Sequence, residues 1–119
     1  MAKVVLIGIE ESTAGQIGRA LSNGRHQVDR RPSGTPLDDW IDSDIVFAGG
    51  NPKEYMPLLR RVRQVKPGLA FVVVTRVPET NEWLDALEAG ATDYCSGPFE
   101  PRQVHWLIDS ALPARAATA

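Results

Sequence analysis

The sequence predicts a single doubly wound α/β domain, and three observations carry that reading. Short β-branched apolar runs recur at Lys3–Ile9 (KVVLIGI), Asp44–Ala48 (DIVFA) and Ala70–Val74 (AFVVV). Each is too short and too rich in valine and isoleucine for a helix, and none alternates with polar residues, so they read as strands buried on both faces. Between them lie stretches whose apolar residues return at helical spacing. Strand and helix in alternation mark parallel crossover units, with any site expected at the strand ends.

A chain of 119 residues suits one domain, which buries roughly two-thirds of its unfolded surface. A formal net charge of −2 argues against a nucleic-acid-binding surface, and no direct nucleic-acid contact is expected. Arg60, Arg61, Arg63 and Lys66 share one predicted helix and read as its solvated face. The lone cysteine, Cys95, excludes an internal disulfide and falls in a predicted strand, as a small core residue rather than a nucleophile. Apolar runs fall far short of a membrane span, and Met1-Ala2-Lys3 leads straight into a strand. A cytoplasmic protein with no membrane partner is expected.

After the first strand, Ser12 or Thr13 caps a helix with Ile17, Ala20 and Leu21 inward, stopped by Asn23-Gly24. Gln27–Arg30 is polar enough for an edge strand. Thr35-Pro36 starts a short helix with Leu37, Trp40 and Ile41 on one face. The Asp44–Ala48 strand leads through Gly49-Gly50-Asn51-Pro52 to a helix over Glu54–Val65, with Leu58, Leu59 and Val62 inward and Pro57 tolerated early. Thr75 ends the Ala70–Val74 strand. Beyond Pro78, Glu79 or Thr80 starts a helix with Leu84, Leu87 and Ala91 inward, and Gly90 ends it in a left-handed cap. Asp93–Ser96 is the fifth strand. Glu100-Pro101 opens a fifth helix with Val104, Leu107, Ile108 and Ala111 inward. Residues 1–112 form the domain, and Pro113–Ala119 is expected to be a flexible tail or the start of a linker.

Two motifs place this layout in a family. GATDYCSGPF resembles the GADDYLxKPF signature of response-regulator receiver (CheY-like) domains, and VVVTR resembles the strand that ends in their switch threonine. The resemblance spans nearly the whole chain. It implies a flavodoxin- or CheY-like sheet of five parallel strands in the order 2-1-3-4-5 with five helices, and a place in bacterial two-component signalling or a phosphorelay. It also implies a cis bond between Gly97 and Pro98. In that family an aspartate after the third strand is phosphorylated, an acidic pair after the first strand binds magnesium, and a lysine before the proline contacts the phosphoryl group.

Those chemical positions are empty of their chemistry here. Gly49 stands at the acceptor position, Gly8 and Ile9 at the acid pair, and Gly97 at the lysine. Glu10 and Glu11 follow one or two residues late, and a one-residue shift in a strand reverses the face a side chain takes. Thr75 and Tyr94 match the retained switch positions. The chain is therefore similar to an atypical pseudo-receiver without catalytic residues, metal or cofactor: a phosphorylation-independent interaction or dimerisation module, not an enzyme. The resemblance places its partner, another protein or a second copy, on the fourth helix, fifth strand and fifth helix. Trp83, Tyr94 and Trp106 are the interaction residues, since tryptophan is enriched at interface centres.

Other sites are weaker. Ser12-Thr13-Ala14-Gly15-Gln16 resembles the phosphate loop of flavodoxins, which makes a small-ligand or nucleotide-binding domain the alternative function. Gly49-Gly50-Asn51 reads as a flexible turn before it reads as an anion nest. His26 and His105 are far apart with no carboxylate at metal spacing.

Overall fold

The computed structural model describes residues 3–21, 26–96 and 99–118. Five parallel strands, β1 (Lys3–Ile7), β2 (Gln27–Arg31), β3 (Ile45–Ala48), β4 (Ala70–Thr75) and β5 (Asp93–Ser96), form one sheet in the order β2-β1-β3-β4-β5. The polar β2 is an edge strand, as its composition predicts. The inner strands β1, β3 and β4 are apolar because helices cover both their faces. Helices α1 (Glu11–Leu21) and α4 (Pro101–Thr118) cover one face. There Ile17, Leu21, Val104 and Ile108 pack on Leu6, Phe47 and Val72. Helices α2 (Pro52–Val65) and α3 (Thr80–Glu88) cover the other, where Tyr55, Leu59, Val62 and Ala86 meet Val5, Val46, Phe71 and Val73.

The described residues contain four α-helices, not the five expected. The helix expected after Pro36 is a single 3-10 turn, Leu37–Asp39. Its bonds run between residues three apart, Asp39 N–H to Pro36 O (3.1 Å) and Trp40 N–H to Leu37 O (3.0 Å), and Ser43 N–H to Trp40 O (3.1 Å) repeats the pattern. Such bonding tightens the chain and does not propagate. The Ser43 hydroxyl donates to Trp40 O (2.7 Å), which holds the turn closed. Trp40 is fully buried and fills, with Leu37, the space a helix would cover.

Several element ends differ from expectation. β1 stops at Ile7 because Gly8 takes a left-handed φ of 60°. α1 starts at Glu11, where Glu10 O accepts from Ala14 N–H (2.8 Å); the Ser12 hydroxyl donates instead to the Glu10 carboxylate (2.9 Å). α2 starts at Pro52, two residues early, under a reciprocal cap. Asn51 Oδ1 accepts from Glu54 N–H (3.2 Å) and the Glu54 carboxylate from Asn51 N–H (3.4 Å). Pro57 consequently sits in the second turn. Gly90 has a φ of 109°, the left-handed conformation its position requires. The backbone is helical to Thr118, into the stretch read as a tail. The Asn23-Gly24 stop and the Gly97–Pro98 bond lie outside the described residues, as does the Ala111 side chain.

The basic residues of α2 are not all a solvated face. Arg63 donates from Nε to Gly90 O (2.8 Å) and from Nη1 to Leu69 O (2.6 Å) and Pro67 O (3.1 Å). Lys66 Nζ donates to Ile41 O (2.9 Å) and Ser43 O (3.4 Å). Both cations satisfy carbonyls of the loops that lead into β3, β4 and β5, and of the four basic residues Arg60 and Arg61 alone stay exposed.

Candidate functional site: a closed acceptor position and an open helix face

The carboxyl ends of β1, β3 and β4 open into a cleft of about 720 Å³. In a doubly wound sheet this is where ligands and chemistry collect. Gly8, Ile9 and Gly49, which the resemblance sets at the acid-pair and acceptor positions, line it. Gly49 N–H donates to Ile7 O (2.9 Å), which draws the two loops together, and Gly8 N–H donates to Arg31 O (3.1 Å) at the end of β2. A Cβ on Gly49 would stand 2.8 Å from Gly8 O and 3.2 Å from Ile9 Cα. Both obstructing atoms are backbone. A side chain at Gly49 would therefore require the backbone around it to shift.

Gly8, Ile9 and Gly49 supply no side-chain ligand for a divalent cation. Magnesium needs oxygen ligands in near-octahedral array, and Gly8, Ile9 and Gly49 offer no side-chain oxygen. Glu10 reaches the cleft, but its carboxylate pairs with Arg76 (3.2 Å). Glu11 lies on the exposed first turn of α1. Among the described residues no group of three or more His, Cys, Asp or Glu side chains could hold a metal. Gly97 lies outside the described residues.

Thr75 and Tyr94 fall on the same side of the sheet, facing α2 and α3, since Tyr94 is in register with Val73. The Thr75 hydroxyl donates to Val77 O (3.3 Å), and the Tyr94 hydroxyl accepts from Glu79 N–H (3.4 Å). Both side chains therefore hold the loop that leads into α3. Tyr94 is buried. It is core and anchor here, not an exposed interaction residue. Beside it, the Tyr55 hydroxyl is buried without a hydrogen-bond partner. Burial, with Tyr94, Glu82 and Asp85 nearby, pushes the Tyr55 phenol up to about 12. Nothing in the sequence singles out Tyr55 except its place on the inward stripe of α2. Cys95 donates a weak bond to Val73 O (3.7 Å), and burial, then Asp93, pushes its thiol up to about 12. Such a thiol is no nucleophile at neutral pH.

The inward stripe expected of α3 is turned outward. Its buried residue is Ala86, while Trp83, Leu84 and Leu87 are 42%, 50% and 37% exposed. Ala91 packs only partly against the core. α3 packs beside the edge strand β5, and the side chain it buries is the small Ala86. Asp85 and Glu88 line a hollow with Met56 and Arg60 of α2. Helical spacing then turns Trp83 and Leu87 to the flank away from α2 and leaves Leu84 outermost, beside Glu88. Trp106, 62% exposed, projects from α4 opposite its buried stripe of Val104, Leu107 and Ile108.

No protein-family model and no curated relative matches the chain. Solved structures do. A response-regulator receiver domain protein from Clostridium thermocellum is 21% identical, with both chains covered in full and a TM-score of 0.86. A CheY-like receiver domain protein from Methanospirillum hungatei JF-1 is 17% identical over 100% of this chain and 99% of that one, TM-score 0.86. A protein described as pilus assembly-related, from Burkholderia pseudomallei K96243, is 22% identical over 95% and 90%, TM-score 0.77. The fold is that of CheY-like receiver domains. Among the described residues no helix is long and apolar enough to cross a membrane.

Proposed function

We propose that this chain is an atypical receiver-fold module of two-component-type signalling in the bacterial cytoplasm. It works through protein contacts without phosphorylation, metal or catalysis of its own. The observation that carries this reading is the Gly8–Gly49 closure, where a Cβ at the acceptor position would meet a backbone carbonyl at 2.8 Å. What stays available is the α3–β5–α4 face, with Trp83, Leu84, Leu87 and Trp106 exposed on its two helices. A nucleotide in the cleft is disfavoured, because Glu10, Glu54, Glu79 and Glu82 line it against Arg76 alone.

The test has two parts. Acetyl phosphate with magnesium is expected to add no mass to the intact protein, beside a competent receiver as control. Gly49→Asp is expected to restore nothing and to lower stability by about 1–3 kcal/mol, as overpacking does. A stoichiometric, base-labile phosphoryl adduct on the unmodified chain, on Glu10 or Asp44 for example, would overturn the reading. In the second part, Trp83→Ala with Trp106→Ala weakens self-association or partner binding in sedimentation. Thermal unfolding stays cooperative because both rings stand outside the core.

A further inference from the structure

The exposed stripe of α3 has a charge environment that narrows what can cover it. Between Val77 and Ser110 the sequence carries seven carboxylates and one arginine, Arg102, although the whole chain is only −2. The remainder of the sequence is therefore net positive and this segment acidic, with Arg60 of α2 beside Asp85 and Glu88, and Arg76 beside Glu79 and Glu82, as the basic residues at its border. α3 and its N-cap hold Glu79, Glu82, Asp85 and Glu88 and no basic residue. Glu88 stands one turn from Leu84, on the same side of the helix. Glu79 and Glu82 sit at the amino end of the stripe, close enough that a hydrogen bond between them raises the Glu82 carboxyl above its usual range.

Resting on the interaction-module reading above, we infer that α3 receives a basic amphipathic segment of another protein, with leucine-like residues on one side and Lys or Arg along its borders. A second copy meeting this stripe through the same stripe is disfavoured, since a two-fold axis would set one acidic α3 against another. An anionic membrane or a nucleic acid is disfavoured by the same charges. A basic segment places apolar residues on Trp83, Leu84 and Leu87 and finds carboxylates at the border. Such complementarity acts on encounter rate and partner choice more than on raw affinity.

The probe is a helical peptide of leucine and lysine patterned at the 3.6-residue period. A leucine and glutamate peptide of the same pattern and a lysine homopolymer serve as counter-probes. Titration calorimetry with the full chain is expected to show binding of the Leu/Lys peptide alone, weakening several-fold as salt shortens the Debye length from about 14 Å to about 6 Å. Leu84→Ser with Leu87→Ser, and separately Glu82→Gln with Glu88→Gln, should each lower that affinity by roughly tenfold or more. Arg30→Gln, on the far edge strand, should leave it unchanged, and thermal melts verify that every variant is folded. Binding of the Leu/Glu peptide equally well, no binding of the Leu/Lys peptide, or binding indifferent to both double variants would overturn the inference. Self-association lost on Trp83→Ala with Trp106→Ala and unaffected by the Leu/Lys peptide would overturn it too, while leaving the interaction-module reading in place.

Discussion

Helices α2 and α3 cover the same face of the sheet, yet they are joined to it on opposite terms. α2 drives Tyr55, Leu59 and Val62 into the core, opens under a reciprocal Asn51–Glu54 cap, and ties Arg63 and Lys66 to five loop residues. α3 contributes Ala86, has no side-chain cap, and leaves Trp83, Leu84 and Leu87 outside. Both helices carry enough apolar residues to be core elements. The difference is what lies beneath them: α2 crosses the buried strands β3 and β4, whereas α3 ends over an edge. The exposed apolar residues of α3 are therefore the surface we propose for a partner.

Truncation should separate the two helices most sharply. Leu59→Ala is expected to cost about 2–5 kcal/mol, as deletion of a fully buried leucine does, measured by urea unfolding. Leu87→Ala, more than a third exposed, is expected to cost less than about 1 kcal/mol. Comparable losses at the two sites would mean that α3 is an ordinary core helix.

Arg63 comes next in size. Its guanidinium is the link between the two helices, since Gly90 O at the end of α3 accepts from it along with Pro67 O and Leu69 O. Arg63→Ala strands those carbonyls and is expected to lower stability by about 2–3 kcal/mol. Arg63→Lys should recover little, because one ammonium cannot reproduce the planar fork. Hydrogen exchange at the carboxyl end of α3 should speed up in both variants. Unchanged exchange there would break the link.

These contrasts show what the sequence made legible. β1, β3 and β4 are plain because a strand buried on both faces has no alternative to an apolar run. Gly90 is equally plain, since a left-handed cap admits little else. The glycines at 8 and 49 were legible as lost chemistry but not as a closed gap, which depends on how two loops meet. Leu84 and Leu87 misled for a related reason. Helical period fixes which residues share a face, not whether that face meets a sheet or its edge. Arg63 and Lys66 read as solvated because their carbonyl partners come from residues 23 or more positions away as well as from nearby turns. The helix after Pro36 failed because a few apolar residues at helical spacing also suit a single tight turn.

Tyr55 sharpens the comparison from within α2. Its hydroxyl is a buried group without a partner, so Tyr55→Phe should be neutral or stabilising by up to about 1 kcal/mol. The pH dependence has a definite sign. With the folded phenol held up to about 12, the unfolded chain ionises first as pH rises past the usual tyrosine value near 10. Stability should therefore fall between about pH 10 and 12, and Tyr55→Phe should flatten part of that fall. Cys95, also raised to about 12, supplies a remaining part. An identical alkaline profile in the variant would show that the Tyr55 phenol is not shielded.

The smallest effect concerns the start of α3. Glu79 occupies the N-cap position with no side-chain capping hydrogen bond from a helix N–H, while Glu82 stands three residues on. That spacing is half of a capping box, and Glu79→Ser completes it, the hydroxyl accepting from Glu82 N–H as Asn51 accepts in α2. The expected gain is about 0.5–1 kcal/mol at neutral pH. It has a second source, because Glu79 is also the group that raises the Glu82 carboxyl, first by its hydrogen bond and then by its charge. A carboxyl raised in the folded state favours folding while protonated, and that contribution disappears as pH climbs through its folded value. The like charges are therefore least compatible with folding at neutral pH. The stabilisation by Glu79→Ser should accordingly be larger at pH 7 than at pH 4, and the Glu82 titration, followed by carboxyl NMR shifts, should move down toward the usual carboxylate range. If the gain is the same at both pH values, the capping hydroxyl alone accounts for it and the acidic pair costs the helix nothing. If there is no gain, α3 is already fixed by contacts beyond Ala86, and the contrast with α2 is weaker than the burial of their side chains makes it.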